Sequence, residues 1–293
     1  MAPVRTTGRP DGRYGIDAEP SLARLSIHTI TTKPWSLAEC LAEYKAAGVP
    51  AITVWRQALE PLGLAKSAAL IKASGLRVTA LCRGGFFPAT DAAGRQKAID
   101  DNRKAIDEAA AIGAPLIVLV CGAVPGMPLT EARKQIADGI AAVLPYAREK
   151  GVKLSIEPLH PQYAADRSAV STMAQARRIC EQVNAPGRND VGIAVDVYHV
   201  WWDDALEAEI GLAGAQGLIH AFHVCDWKVQ QVDILNDRGL MGEGCIDIKG
   251  IRAWVEQAGY RGDIEVEVFS NKWWATDQKQ FLTKIIVSYR QHV

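Results

Sequence analysis

Side chains of the kind that bind metals close four consecutive short apolar segments in the second half of the chain. These segments end as SIEP, IAVDVYH, HVCD and IEVEVF. A buried carboxylate is unstable unless it is paired or bound to a cation. Carboxylate oxygens with one imidazole suit divalent Mn, Mg, Co, Fe or Zn, and an excess of oxygens favours the harder metals. We therefore predict one divalent metal ion, with manganese as first choice, held by Glu157, Asp196, His223 and Glu267.

Taken singly, each carboxylate is as consistent with a helix cap or a salt bridge as with a metal ligand. Four such residues at the ends of consecutive segments favour a shared site. Glu265 and Glu267 point to one face of their segment because strand side chains alternate. Glu267 lies nearer the C-terminal end, so we assign it as the ligand and Glu265 as a deeper buried partner.

The pattern of the whole chain predicts how these segments come together. Short apolar β-type runs alternate with longer stretches of helical periodicity, and Gly or Pro marks the joints. Eight such units predict an α/β fold, a single-domain (β/α)8 TIM barrel over residues 25–293, after an N-terminal arm at residues 1–24. An open doubly wound sheet is less consistent, because TTKPWS after the first strand is not a Gly-rich phosphate loop.

The element boundaries follow from this alternation. We predict strands at 25–30, 51–54, 77–82, 116–121, 153–157, 191–195, 219–224 and 264–268. We predict helices at 36–47, 64–74, 93–112, 129–150, 172–183, 205–212, 248–258 and 276–290. Functional side chains of such barrels lie at the C-terminal ends of the strands. The predicted ligands would therefore meet at one mouth.

The motifs, in combination and order, resemble the sugar phosphate isomerase/epimerase superfamily of xylose-isomerase-like barrels. The resemblance rests on IEP at 156–158, DVYH at 196–199, HVCD at 223–226, GEG at 242–244 and Glu267. The superfamily includes ketose 3-epimerases, hydroxypyruvate isomerases, inosose dehydratases and the metal subunit of C-glycoside deglycosidases. The resemblance implies the same four metal ligands, and it implies that Glu157 and Glu267 are also the acid/base pair. It further implies that His199 contacts substrate or metal-bound water.

The chemistry consistent with this site is proton abstraction beside a carbonyl. A metal polarises the carbonyl, and carboxylates on opposite faces of the substrate take and return the proton. We expect an isomerase or epimerase of an unphosphorylated sugar or keto-sugar. A ketose epimerase has an Arg shortly after the seventh-strand His, whereas here Arg238 follows the longer segment DWKVQQVDILND. Because of that difference, a lyase is the alternative prediction. It would be either a dehydratase or a β-eliminating deglycosidase of keto-glycosides or C-glycosides that works with a second subunit.

Further candidates lie near the predicted mouth. His28 is either a catalytic base or a satisfied interior histidine, and Arg83 binds a substrate hydroxyl or carboxylate or has a structural role. His160 is a proton shuttle or a loop residue. Arg238 is a predicted substrate contact. Trp227 is another, because aromatic faces pack against sugars. Tryptophans at this end equally suit subunit contacts, so we expect a homo-oligomer or a hetero-subunit.

Composition excludes other classes of function. Lys plus Arg and Asp plus Glu are both 33, which gives zero net charge and argues against a nucleic-acid binder, including DNA-repair barrels. No apolar run is long enough for a membrane span, the N-terminus lacks a signal-peptide core, and the six cysteines form no CxxC pair. We expect a cytoplasmic protein. A non-catalytic partner subunit is the alternative of another class, and loss of the four ligands would favour it.

Overall fold

A computed structural model describes residues 21–293. In this part of the chain, eight parallel strands form a closed barrel in sequence order, with the first strand paired to the last. The predicted (β/α)8 fold is confirmed. Most of the predicted N-terminal arm, residues 1–20, lies outside the described residues. At its end, Arg24 forms an ion pair with Glu256, and Leu22 packs against the core.

The strands line the barrel and the longer helices lie outside it. The strands are β1 (Leu25–His28), β2 (Ala51–Trp55), β3 (Arg77–Gly85), β4 (Leu116–Val120), β5 (Lys153–Glu157), β6 (Val191–Asp196), β7 (Ile219–Val224) and β8 (Ile264–Val266). The helices are α1 (Leu37–Ala46), α2 (Leu64–Ser74), α3 (Ala92–Ile112), α4 (Leu129–Glu149), α5 (Met173–Val183), α6 (Val197–Val200), α7 (Leu206–Ala215), α8 (Ile248–Gln257), α9 (Asn271–Trp274) and α10 (Gln278–His292).

Side chains define several of the boundaries. The hydroxyl of Ser36 caps α1 while the Glu39 carboxylate accepts from the Ser36 backbone N–H, which satisfies two free backbone donors at the helix start. Strand β8 ends two residues before the predicted boundary. The N–H of Val268 donates to the Thr31 hydroxyl, so this segment leaves the strand ladder early.

Strand β3 is longer than predicted because two glycines continue its pairing with β4. A side chain at Gly85, whose φ is +106°, would collide with the carbonyl of Val120. Glycine alone permits this close approach together with a left-handed backbone. The extension carries Arg83 toward the barrel mouth.

The barrel interior is narrow and partly polar. Small apolar side chains fill one part of it, among them Ala80, Ala194 and Ala221. Beside them the hydroxyls of Thr53 and Thr79 donate to the Glu265 carboxylate at 2.6 and 2.9 Å. The large apolar side chains pack instead between strands and helices. This polar layer supports the side chains at the mouth. Within the described residues, none of the helices combines the length and apolar character that a bilayer span requires.

Candidate active site

The four predicted metal ligands converge at the C-terminal mouth of the barrel. One ligand atom from each lies within 4.8 Å of the others: Glu157, Asp196, His223 and Glu267. Asp196 and His223 are paired in the register of β6 and β7, Glu157 ends β5, and Glu267 follows the last residue of β8. All four are buried, with at most 5% of any residue exposed. The topology therefore assembles the predicted ligand set.

His223 faces carboxylates with both of its ring nitrogens. Its Nδ1 lies 3.0 Å from Oε1 of Glu157, and its Nε2 lies 3.8 Å from Oε2 of Glu265. Among the described residues, the buried Nε2 has no hydrogen-bond partner. Burial lowers the pKa of His223, but the hydrogen bond that it donates to Glu157 and the charge of Glu265 outweigh burial, and the pKa is raised. The imidazole is thus held among anionic oxygens.

Arg238 lies between two of the predicted ligands. Its Nη1 is 2.9 Å from Glu267 Oε2 and 3.2 Å from Asp196 Oδ2. The guanidinium also stacks on the rings of Tyr198 and Phe269, with its carbon 4.3 and 4.8 Å from the ring centres. Burial raises the pKa of Asp196 to about 7, against the opposing effect of Arg238. The residue predicted to bind substrate is therefore also a counter-ion of the ligand set.

Formal charges at the mouth do not cancel. Glu157, Asp196 and Glu267 supply three negative charges when ionised, and Arg238 supplies one positive charge. With Asp196 ionised and His223 neutral, which are the states that bind a cation, two negative charges remain in a buried volume. A divalent cation matches this remainder, and the oxygen-rich donor set with one imidazole suits such an ion.

His28 lies directly below the ligand set. Its Nδ1 is 2.9 Å from Glu267 Oε1, its Nε2 is 3.5 Å from Glu265 Oε2, and its ring meets that of His223 edge-on at 4.7 Å. Burial lowers the pKa of His28, but the charge of Glu267 and further hydrogen bonds raise it well above the usual value. His28 and Glu265 thus form a charge pair beneath the mouth, consistent with the prediction of a deeper buried partner.

His199 is held as a neutral group. The backbone N–H of His160 donates to its Nδ1 at 3.2 Å, and Nη2 of Arg238 lies 3.2 Å from its Nε2. Burial and the neighbouring Arg238 lower the pKa of His199 well below the usual value. A neutral imidazole at the rim can exchange hydrogen bonds with a polar ligand.

A cavity of about 540 Å³ opens above these residues. Its lining includes Glu157, His199, Arg238 and Glu267 together with Arg83 from β3. Leu235 and Asn236 belong to the segment DWKVQQVDILND before Arg238 and also line the cavity. Trp55, Phe269 and Trp274 add aromatic surface. The volume lies in the range of small-molecule sites, roughly 300–1,000 Å³.

Two predicted substrate contacts lie outside this lining. The rings of His160 and Trp227 are 4.6 Å apart, and Trp227 also packs on Tyr198 at 4.9 Å. These side chains form an aromatic cluster beside the cavity. They support the loop that carries Arg238, and direct contact with a substrate remains a prediction for both.

The sequence interpretation missed the role of Asp226. Its carboxylate accepts from the backbone N–H groups of Gly242, Gly244 and Ile246 at 2.9–3.0 Å. At Gly244 a side chain would collide with the Trp227 carbonyl. The signal was an aspartate at a strand end together with a glycine-bearing turn downstream. Asp226 anchors the turn and so fixes the loop over the mouth.

Comparison with known proteins is consistent with this geometry. The family model for xylose isomerase-like TIM barrels matches residues 41–285. A solved structure of protein SMc04130 from Sinorhizobium meliloti is 48% identical, with a TM-score of 0.88 over 92% of this chain and 98% of that one. The crystal structure of IOLI protein with a bound zinc atom superposes with a TM-score of 0.79 at 20% identity, over 91% of this chain and 96% of that one, which shows the fold.

A curated relative also carries the name of an activity. Inosose isomerase from Halalkalibacterium halodurans is 26% identical over 188 residues, which are 63% of this chain. The chain spans 64% of the length of that relative.

Proposed function

The chain belongs to the family of xylose isomerase-like TIM barrels, and on that basis we propose that it is a divalent-metal-dependent isomerase or epimerase of a keto-sugar or cyclic keto-polyol. The observation that carries the proposal is the convergence of three carboxylates and one imidazole at the barrel mouth. The name of the inosose isomerase relative supports the substrate class.

The residues present fit a divalent cation. Glu157, Asp196, His223 and Glu267 would hold it, and the two uncompensated negative charges of the mouth match its charge. The imidazole of His223 supports this fit, because its Nδ1 lies 3.0 Å from Oε1 of Glu157 and so faces the carboxylates of the cluster. When bound, the metal would supply Lewis acidity that stabilises negative charge developing on the substrate oxygen. Manganese is our first choice and zinc the second, since the IOLI structure contains zinc.

Glu157 and Glu267 are the proposed proton-transfer pair. They project from β5 and from the end of β8, on different sides of the cavity, and both contribute to its lining. In a substrate between them, the C–H bond beside the carbonyl would point to one carboxylate. The opposite face of the same carbon would point to the other carboxylate. One carboxylate removes the proton and the other returns it, which inverts a centre or moves the carbonyl.

Arg238 and His199 would orient the substrate. Both line the cavity, and each is held by fixed contacts to the other and to the ligand set. The guanidinium donates to oxygen atoms, and the neutral imidazole of His199 bonds a hydroxyl. The rings of Trp55, Phe269 and Trp274 exclude water and pack against the sugar carbons.

A lyase is the second candidate, and the size of the cavity favours it. About 540 Å³ with three aromatic side chains accommodates more than one monosaccharide ring. A keto-glycoside would place its sugar at the carboxylates and its aglycone against the rings. The same proton abstraction would then expel the group at the β position.

The test is hydrogen exchange from solvent. We would incubate the metal-loaded protein with an inosose and a panel of keto-sugars and keto-glycosides in D₂O and follow the substrates by NMR and mass spectrometry. Deuterium at a carbon beside the carbonyl, with product of the same composition, is the result expected of an isomerase or epimerase. Loss of water or an aglycone would identify the lyase. No exchange with any compound, in protein that retains one metal per chain, would contradict the proposal.

A further inference from the structure

Two arginines at the mouth, Arg83 and Arg167, form no ion pair within the described residues. Arg83 extends from β3, and Arg167 lies in the loop after β5. Both line the mouth cavity. Within residues 21–293, neither guanidinium has a carboxylate oxygen within 4.0 Å, whereas nearby Arg56 is paired with Asp101 and Glu108 at 2.8 and 2.6 Å.

Each of the two cations contacts an aromatic ring instead of an acid. The guanidinium carbon of Arg83 lies 4.3 Å from the ring centre of Phe86, and that of Arg167 lies 5.7 Å from the ring centre of Tyr163. Stacking of this kind fixes the orientation of a guanidinium but leaves its charge and its N–H donors unsatisfied. Both arginines therefore present free donors to the cavity.

The position of Arg167 is defined by its backbone. Its N–H donates to the Tyr163 carbonyl, and its carbonyl accepts from the N–H of Gly122, which follows β4. The loop is also bound by Arg133, whose guanidinium donates to the Ala169 carbonyl. The side chain thus starts from a fixed point beside the mouth rather than from a free loop.

The two positive charges disfavour each other. Burial lowers the pKa of Arg83, and Arg167 is the next largest cause. A partly buried pair of like charges costs free energy in the absence of a ligand. Water stabilises an unpaired arginine on an open surface. Here Arg83 and Arg167 line the same cavity, and their positive charges repel each other. Such an arrangement is stabilised when an anion lies between them.

We propose that Arg83 and Arg167 bind an anionic group of the substrate, a carboxylate or a phosphate, while the opposite end of the substrate lies at the carboxylate cluster. Arginine forks match both groups with paired hydrogen bonds. The inference rests on the proposed function for the orientation of the substrate, and it narrows the substrate class to an acidic or phosphorylated keto-sugar.

The experiment compares three matched probes by isothermal titration calorimetry on the protein with its metal. The probes are D-fructose, 5-keto-D-gluconate and D-fructose 6-phosphate, which are neutral, carboxylated and phosphorylated. The proteins are wild type, Arg83→Gln, Arg167→Gln and the control Arg178→Gln, an exposed arginine on α5 that does not line the cavity.

We expect at least one charged probe to bind wild type and the Arg178 variant about tenfold to hundredfold more tightly than D-fructose, as expected for hydrogen bonds to a charged group. Each mouth variant should lose about tenfold of that preference. The carboxylated and phosphorylated probes identify which group the pair accepts. Since each substitution relieves repulsion, neither variant should melt below wild type.

Two results would overturn the inference: charged and neutral probes that bind wild type equally, or a preference for charge that persists in both mouth variants. The proposed function fails separately. If Glu157→Gln retains full turnover and metal while the arginine pair still selects anions, the function is wrong and the anion site stands.

Discussion

The two sides of the barrel mouth differ in how their charges are balanced. On the side of β5 to β8, Glu157, Asp196 and Glu267 contact Arg238, His28 or His223 at 2.9–3.2 Å. On the side of β3 and the loop after β5, Arg83 and Arg167 have ring contacts but, within residues 21–293, no carboxylate within salt-bridge distance. One side presents an excess of carboxylates, and the other presents two guanidinium groups.

This difference gives the two sides of the cavity opposite charges, which favours one orientation of a bound substrate. A keto-sugar with an acidic group at its far end would satisfy both sides at once, with its reactive end at the carboxylates. A neutral substrate would satisfy only one of them. Substitutions of Glu157 and Arg238 test how far the acidic side depends on its charges, and substitutions of His220 and Asp226 test buried groups outside that set.

Removal of a metal-ligand carboxylate should have the strongest effect. We expect Glu157→Gln to lower turnover by at least about 10³-fold, close to 4 kcal/mol in activation free energy, because one change removes a proton-transfer group and a ligand. Steady-state rates and elemental analysis would check this, with His223→Ala expected to lose the metal as well. The control is Glu149→Gln at the exposed end of α4, which should match wild type. Full turnover in Glu157→Gln would refute both assigned roles.

Removal of Arg238 should reveal the uncompensated charge directly. We expect Arg238→Gln to lower the stability of the metal-free protein by about 4 kcal/mol, because two buried carboxylates lose their partner. Saturating Mn²⁺ should then stabilise the variant more than it stabilises wild type in thermal unfolding.

Arg56→Gln provides the matched control, since it removes a paired arginine outside the ligand set. Its melting temperature should fall equally with and without metal. An equal metal-induced shift in Arg238→Gln and wild type would mean that the guanidinium does not act as a counter-ion of the site.

His220, near the start of β7, shows what burial does without a carboxylate cluster. Its ring fits against Gly192, and both ring nitrogens are buried. Burial together with Lys153 lowers its pKa to about 4, against smaller opposing effects of the Asn189 backbone and Asp190. In the unfolded chain the pKa of His220 is near its usual value of 6.5. Between about pH 4 and pH 6.5 the side chain is therefore protonated in the unfolded chain but not in the folded chain. Stability should therefore fall as pH drops from about 6.5 to about 4, by roughly 3 kcal/mol from this group.

Urea unfolding across that pH range would measure the slope. His220→Phe should flatten it, because the variant has no group to protonate. A mutation of exposed His292 at the end of α10 should leave the slope unchanged. If His220→Phe shows the wild-type slope, the acid sensitivity arises from other groups.

Asp226→Asn should give the smallest change. An amide keeps one accepting oxygen but loses the charge that four backbone N–H groups share, so we expect a loss of about 2 kcal/mol. Limited proteolysis should show faster cleavage within residues 227–241. Asp233→Asn is the control, since that carboxylate accepts from two N–H groups in the same loop and lies outside the turn. Equal cleavage rates of Asp226→Asn and Asp233→Asn would contradict the anchoring role of Asp226.

Much of the fold was predictable because its signals are local. Apolar runs, helical periodicity and glycine joints gave the strand and helix order, and β5, β7 and α2 match their predicted bounds. The errors lie where a distant group intervenes. Thr31 takes the N–H of Val268 and shortens β8, and the close approach of Gly85 to Val120 lengthens β3.

The candidate site divides in the same way. The convergence of its four proposed ligands was predictable because parallel strands bring their C-terminal ends to one place. Arg167 was not, because it lies in a loop whose path depends on contacts with Gly122 and Tyr163 rather than on periodicity. The dual position of Arg238 was also hidden, since it lies 42 residues from Asp196 and 29 from Glu267 in the chain.

The anchoring of the loop over the mouth has a consequence for how this scaffold can change. The backbones of Asp226 and Gly239 form two hydrogen bonds with each other at 2.9 Å, so both ends of the intervening segment are fixed whatever lies between them. Doubling the length of a flexible loop costs only about 0.6 kcal/mol in closure entropy. The segment can therefore accept insertions and deletions while His223, the proposed metal ligand on β7, keeps its place.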